Sequence, residues 1–161
     1  MLGWPDRRLR LAAAPVAAVD DAALALWDEM IAVMEAIPGV GLAAPQLGES
    51  RALAVVDASR ERGQAVRMAN PEILHESAEL RAHGEASPCL PGVSAEIRRP
   101  RAVTVRFLND QGAAEERDFV SLWATSVQHQ IDHLNGRMYF DHLRPVKRQM
   151  LLKRAAKLRG R

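Results

Sequence analysis

The chain has 161 residues, a net charge of +2, and 48% apolar and 26% charged residues, which fits one globular domain with a single proper core. It has no run of about 18 apolar residues, which excludes a transmembrane helix, and its opening MLGWPDRRLRL lacks a signal peptide's apolar core, so the expected address is cytoplasmic. The charge is uneven: residues 144–161 hold eight Lys/Arg and no acid, leaving 14 bases against 20 acids elsewhere.

Asp20 or Asp21 can cap a helix that runs to about Ala36, with Leu24, Trp27, Ile31 and Met34 at spacings of three and four. Pro38-Gly39 stops it, and a glycine-rich turn follows from Gly39 to Gln46. Residues 52–56 (Ala-Leu-Ala-Val-Val) read as a buried strand. Asn70-Pro71 marks a turn, and Glu72-Ile73-Leu74 a short strand. Residues 101–107 alternate with period two and predict a half-buried strand, followed by a hairpin-type turn at Asn109-Asp110-Gln111-Gly112. Ser121 can cap a second helix ending near Asn135-Gly136. A last helix starts after Pro145 and carries Met150, Leu151, Leu152, Ala155, Ala156 and Leu158. There is no internal repeat or linker. Strands fill the middle without regular strand–helix alternation, which argues for an α+β class.

Cys89 is the only cysteine, so no internal disulfide is possible, which suits a reducing compartment. By residue type alone it is core filling, a metal ligand or a reactive thiol, with core filling the default. The basic tail is either a solvated helix face or a surface that meets a polyanion.

The strongest local signal is His129-Gln130-Ile131-Asp132-His133 inside the second predicted helix. Histidines at i and i+4 lie one above the other on one face, so both imidazoles can reach one ion. As an isolated pair, they would read as two hydrogen-bonded helix histidines. In the metallohydrolase version of this spacing, a glutamate after the first histidine takes the proton of a metal-bound water. Here that position holds Gln130, whose amide can orient a water but cannot accept its proton. Asp132 reads as an orienting group. His75, His83 and His142 lie outside the motif and read as surface or structural.

Three blocks in order make the chain resemble the peptide deformylase family over nearly its whole length. Gly39-Val40-Gly41-Leu42-Ala43-Ala44-Pro45-Gln46 resembles GxGLAAxQ, and residues 128–136 resemble QHExDHLxG. Between them, Glu85-Ala86-Ser87-Pro88-Cys89-Leu90-Pro91-Gly92 resembles EGCLSxPG. The resemblance implies an α+β deformylase-like fold, residues 1–161 as one domain. Mixed or antiparallel strands would surround a central helix bearing the histidine pair, with 144–161 a basic C-terminal helix. It also implies a divalent metal, iron(II) or else zinc or nickel, on His129, His133 and a third ligand.

Without gaps that third ligand is Ser87. Its neutral hydroxyl is a poorer ligand than a thiolate, and Pro88 lacks the N–H that the family uses next to the ligand. A shifted register would instead make Cys89 the ligand and Leu90 the donor. By the same resemblance Gln46 helps polarise a formyl oxygen, Gly41 allows close backbone approach, and Gly39, Val40, Glu85 and Leu90 border the substrate. The implied partner is a formyl-methionyl peptide or nascent chain, with the tail suited to the ribosome, and with neither membrane nor DNA. Three functions follow: a metal-dependent formyl-amidase with weak or absent turnover because of Gln130, a non-catalytic binder of formylated ends or of the ribosome exit, or an amidase with another substrate.

Overall fold

The computed structural model describes residues 1–160. Seven strands and three helices follow the chain: α1 (Asp21–Ala36), β1 (Gly41–Ala43), β2 (Leu53–Val56), β3 (Val66–Glu76), β4 (Leu80–Glu85), β5 (Ala95–Pro100), β6 (Ala102–Leu108), β7 (Ala114–Val120), α2 (Ser121–Leu134) and α3 (Pro145–Arg159). Five strands form one antiparallel sheet in the order β1-β2-β3-β6-β7, and β4 and β5 pair as a separate hairpin.

β2 explains how the layers stack. Leu53 and Val55 point to the cluster containing Trp27, Met30 and Met34 of α1, whereas Ala54 and Val56 face the side covered by α2. A strand buried on both faces reads as a continuous apolar run rather than an alternating one, as residues 52–56 do. α2 lies between the sheet and the β4–β5 hairpin. Its Ala124, Val127 and Ile131 pack on the sheet, and every residue from Ala124 to Leu134 is buried. A third apolar cluster under the hairpin joins Leu9, Cys89, Leu90, Ile97, Tyr139 and Phe140 with Ala155 of α3.

Asp20 caps α1 by accepting the N–H of Ala23 at 2.8 Å, as the sequence predicts. Two local expectations are corrected. Ser121 makes no cap: it is the first residue of α2, at φ +53°, and the capping position is Val120 without a side-chain bond. Asn70-Pro71 does not end a strand but lies in a bulge within β3. Asn70 takes φ +51° there, and its side chain clamps both backbone groups of Val16 at 2.8 Å. Among the described residues no helix is long and apolar enough to cross a membrane.

Candidate active site

A cleft of about 430 Å³ opens between the loop before β1, the end of β4 with its following loop, and one side of α2. Of the candidate site residues, Gly39, Val40, Gly41, Gln46, Glu85, Ser87, His129 and Gln130 line it. His133 is buried beneath His129, and Cys89 and Leu90 belong to the apolar cluster behind the loop.

The two imidazoles converge. His129 Nε2 and His133 Nε2 are 3.2 Å apart, close to the roughly 3.3 Å edge expected of a tetrahedral centre with nitrogen ligands at about 2.0–2.1 Å. His129 is oriented from behind. Its Nδ1 donates to Glu85 Oε1 at 2.8 Å, and its ring stacks on Tyr139, which directs the lone pair at Nε2 forward. Glu85 is in turn gripped by both arms of buried Arg99, at 2.6 and 3.0 Å. Arg99 also reaches Asp132 at 2.9 Å, and Asp132 accepts from His142 at 2.7 Å. Burial pushes the Glu85 and Asp132 carboxyls up. Hydrogen bonds from His129 and Arg99, and from His142 with the charge of Arg99, outweigh that and hold both below their ordinary values.

This chain of charges is not visible in the sequence pattern. Arg99 sits in the run Arg98-Arg99-Pro100-Arg101, which resembles a solvated basic patch. The usable signal was its phase with Ile97: residues two apart on a strand share a face, and Ile97 is buried. His142, which reads as surface or structural in the sequence, is the outer member of the chain, and His83, which reads the same way, lines the cleft.

The loop after β4 turns sharply: Leu90 N–H donates to the Ser87 carbonyl at 2.9 Å, with Pro88 at the second turn position. Cys89 N–H donates to Ser87 Oγ at 3.2 Å. No backbone N–H of residues 88–90 is therefore left to meet a ligand, because Pro88 has none. The Cys89 thiol is buried and accepts from Gln46 Nε2 at 3.5 Å, and burial pushes its pKa up despite hydrogen bonds from Gln46 and Ser87.

The donor set fits two positions of a metal centre and not three. The histidine edge has the right span, but no third ligand stands with it: Ser87 lines the cleft, and Cys89 lies in the apolar cluster with its sulfur against Gln46 Nε2. No group of three or more His, Cys, Asp or Glu gathers as metal ligands among the described residues. Imidazole nitrogens and a serine hydroxyl bring no negative charge to a divalent ion.

The buried histidine makes acid stability predictable. Burial, and then the charge of His129, pushes His133 down to about 3, whereas an unfolded histidine titrates near about 6.5. Between those values the unfolded chain binds a proton that the folded chain refuses, so stability rises with pH across the window, by roughly 1.4 kcal/mol per pH unit. Urea unfolding should lose about half of this between about pH 7 and 6 and nearly all of it between about pH 6 and 5, and His133→Gln should flatten the fall. A wild-type curve that stays level there would refute the assignment.

Comparison with known proteins gives one consistent result. A family model described as "Polypeptide deformylase" matches residues 1–149. A peptide deformylase of Methylocella silvestris is 41% identical over 162 residues, spanning 96% of this chain and 83% of that protein. Peptide deformylase 2 of Xanthomonas campestris is 40% identical over 162 residues, spanning 99% and 95%. The crystal structure of a peptide deformylase from Legionella pneumophila superposes with a TM-score of 0.92 at 35% identity, covering 99% of this chain and 94% of that one.

Proposed function

This chain belongs to the peptide deformylase family, and from that premise we propose that it retains the cleft for N-formylmethionyl peptide ends while deformylating them weakly or not at all. The observation that carries this reading is Gln130, which lines the cleft directly after His129. The family's chemistry needs a proton acceptor there, and a carboxamide is not one. Loss of a general base costs about 10²–10⁴ in rate. Two further features act in the same direction: Ser87 supplies no thiolate, and the loop offers no free N–H to a developing oxyanion, a loss of about 10²–10³ for one donor.

What the chain keeps is the binding wall. Gly39, Val40 and Gly41 form one lip, and Glu85, Ala86 and Ser87 form the other. Gln46 lies in the cleft with its amide oriented by the Ala43 N–H at 2.9 Å. The family is metal-dependent; this donor set points to weak retention of iron(II), zinc or nickel. A cytoplasmic location suits the buried, unpaired thiol of Cys89. Lys147, Lys153, Arg154 and Lys157 are exposed on α3, which favours a polyanionic neighbour such as ribosomal RNA, held by a contact that salt would weaken.

The direct test is a deformylation assay on N-formyl-Met-Ala-Ser beside an active family member. It should be run with metal analysis of protein purified without oxygen, and with calorimetric titration of the same peptide. The expected result is saturable binding, substoichiometric metal and no release of free amine above background. Turnover matching the active enzyme would overturn the proposal.

A further inference from the structure

Past His129 the cleft continues between α2 and β4, where Leu122, Thr125 and His83 line it. Residues two apart on a strand share a face, and Arg81, His83 and Glu85 are the less exposed positions of β4. The charges on this hairpin are treated unequally. Arg99 of β5 is held by Glu85 and Asp132, and Arg101 by Glu79. Arg81 lies directly across from Arg99 and is half-buried, yet it pairs with no carboxylate among the described residues. Its Nη1 donates instead to Thr125 Oγ1 at 3.3 Å, which holds the guanidinium against a residue of the cleft wall.

An arginine carries five N–H donors and no acceptor, and it is rarely withdrawn from water without an anion. One bond to a neutral hydroxyl leaves most of that capacity unused. The carboxylate on the same face of β4, Glu85, is already committed to Arg99 and His129. The hydroxyl next to Thr125 is committed too, since Ser126 Oγ donates to the Val40 carbonyl at 2.9 Å. What remains at this end is a guanidinium with free donors and the ring of His83, a set suited to a carboxylate. Thr125 precedes His129 by one helical turn, roughly 6 Å along the axis. That is the length of about two residues of extended peptide.

We propose that Arg81, with His83 beside it, forms a carboxylate subsite at the rim of the cleft, so that the chain favours formylated peptide ends with an acidic side chain at the first or second residue. The inference rests on the reading of the cleft as a formyl-peptide site.

The test titrates three C-terminally amidated peptides into the full chain by calorimetry: N-formyl-Met-Ala-Ser, N-formyl-Met-Asp-Ser and N-formyl-Glu-Ala-Ser. Amidation removes the terminal carboxylate as a competing anion. At least one acidic peptide should bind wild type about fivefold or more tightly than N-formyl-Met-Ala-Ser, the margin of a hydrogen bond between charged groups discounted for partial exposure. Raising salt from about 0.05 to 0.5 M should shrink that margin. Arg81→Gln, which keeps the side chain's stem, should bring the ratio close to one, with folding checked by melting; the salt series in wild type decides the matter even if the variant misfolds. Equal wild-type binding of all three peptides, a margin indifferent to salt, or a margin unchanged in Arg81→Gln overturns the subsite while leaving the formyl-peptide cleft intact. Binding of N-formyl-Glu-Ala-Ser without N-formyl-Met-Ala-Ser would uphold the subsite and overturn the methionine reading. Absence of binding by all three removes both.

Discussion

A chain carrying Gln130→Glu, Ser87→Cys and Pro88→Leu together is expected to deformylate N-formyl-Met-Ala-Ser at least about 10²-fold faster than wild type. The three changes restore the proton acceptor, a thiolate at the cleft and a backbone N–H beside it, and general-base and oxyanion contributions are each about 10² or more. Gln130→Glu alone should gain far less. Its carboxylate would have no firmly held water to act on, because the donor set would still end in a neutral hydroxyl. The loop geometry supports this ordering: Ser87 lines the cleft, whereas Cys89 packs with Leu9 and Tyr139. Should the single change reach the rate of the triple, the loop would have to rearrange to present Cys89, and the assignment of Ser87 to the third position would fall. A triple variant that folds and binds metal yet stays at background would place the defect elsewhere. Free-amine release with metal quantified per chain distinguishes these cases.

Arg99→Met should lower stability by about 3–5 kcal/mol, because removing one member of a buried ion pair leaves uncompensated charge in the interior. Arg99 is 4% exposed, and the pairs it makes bring Glu85 from β4 and Asp132 from α2 to the same guanidinium. For a chain of this size that corresponds to a fall of roughly 10 °C in melting temperature. Adding Glu85→Gln to Arg99→Met should recover part of the loss, since one stranded charge disappears with its partner. Strictly additive losses would show that the pair is not coupled. An unchanged melting temperature for Arg99→Met would mean that water reaches the network and screens it.

The sequence made much of this legible and concealed one half of the site. Helical spacing exposed α1, and the i, i+4 histidines placed themselves on α2, because both depend on a repeat that apolar or ligand-bearing residues keep. Asn109 and Gly112 announced the β6–β7 turn through their side-chain chemistry. The β4–β5 hairpin was invisible. On β4 the more buried positions are Arg81, His83 and Glu85, and the exposed ones include Leu80, the reverse of the pattern by which a half-buried strand is recognised. The inversion arises because the inner face of β4 borders a polar cleft and the Arg99 network rather than an apolar core. β7 escaped for a related reason, since its Ala114–Val120 run is mostly charged and lies at the sheet edge. The choice between Ser87 and Cys89 was also beyond the sequence, because it depends on which way a short turn folds.

The carboxylate, guanidinium and imidazole ladder behind the cleft has a bearing on how such genes are read. Glu85, Asp132 and His129 are clasped by, or linked to, a side chain whose removal should loosen the whole hairpin, so selection for folding alone would retain them whether or not the chain hydrolyses a substrate. A histidine signature surviving in a genome is then a record of architecture, and it cannot by itself be used to count working enzymes.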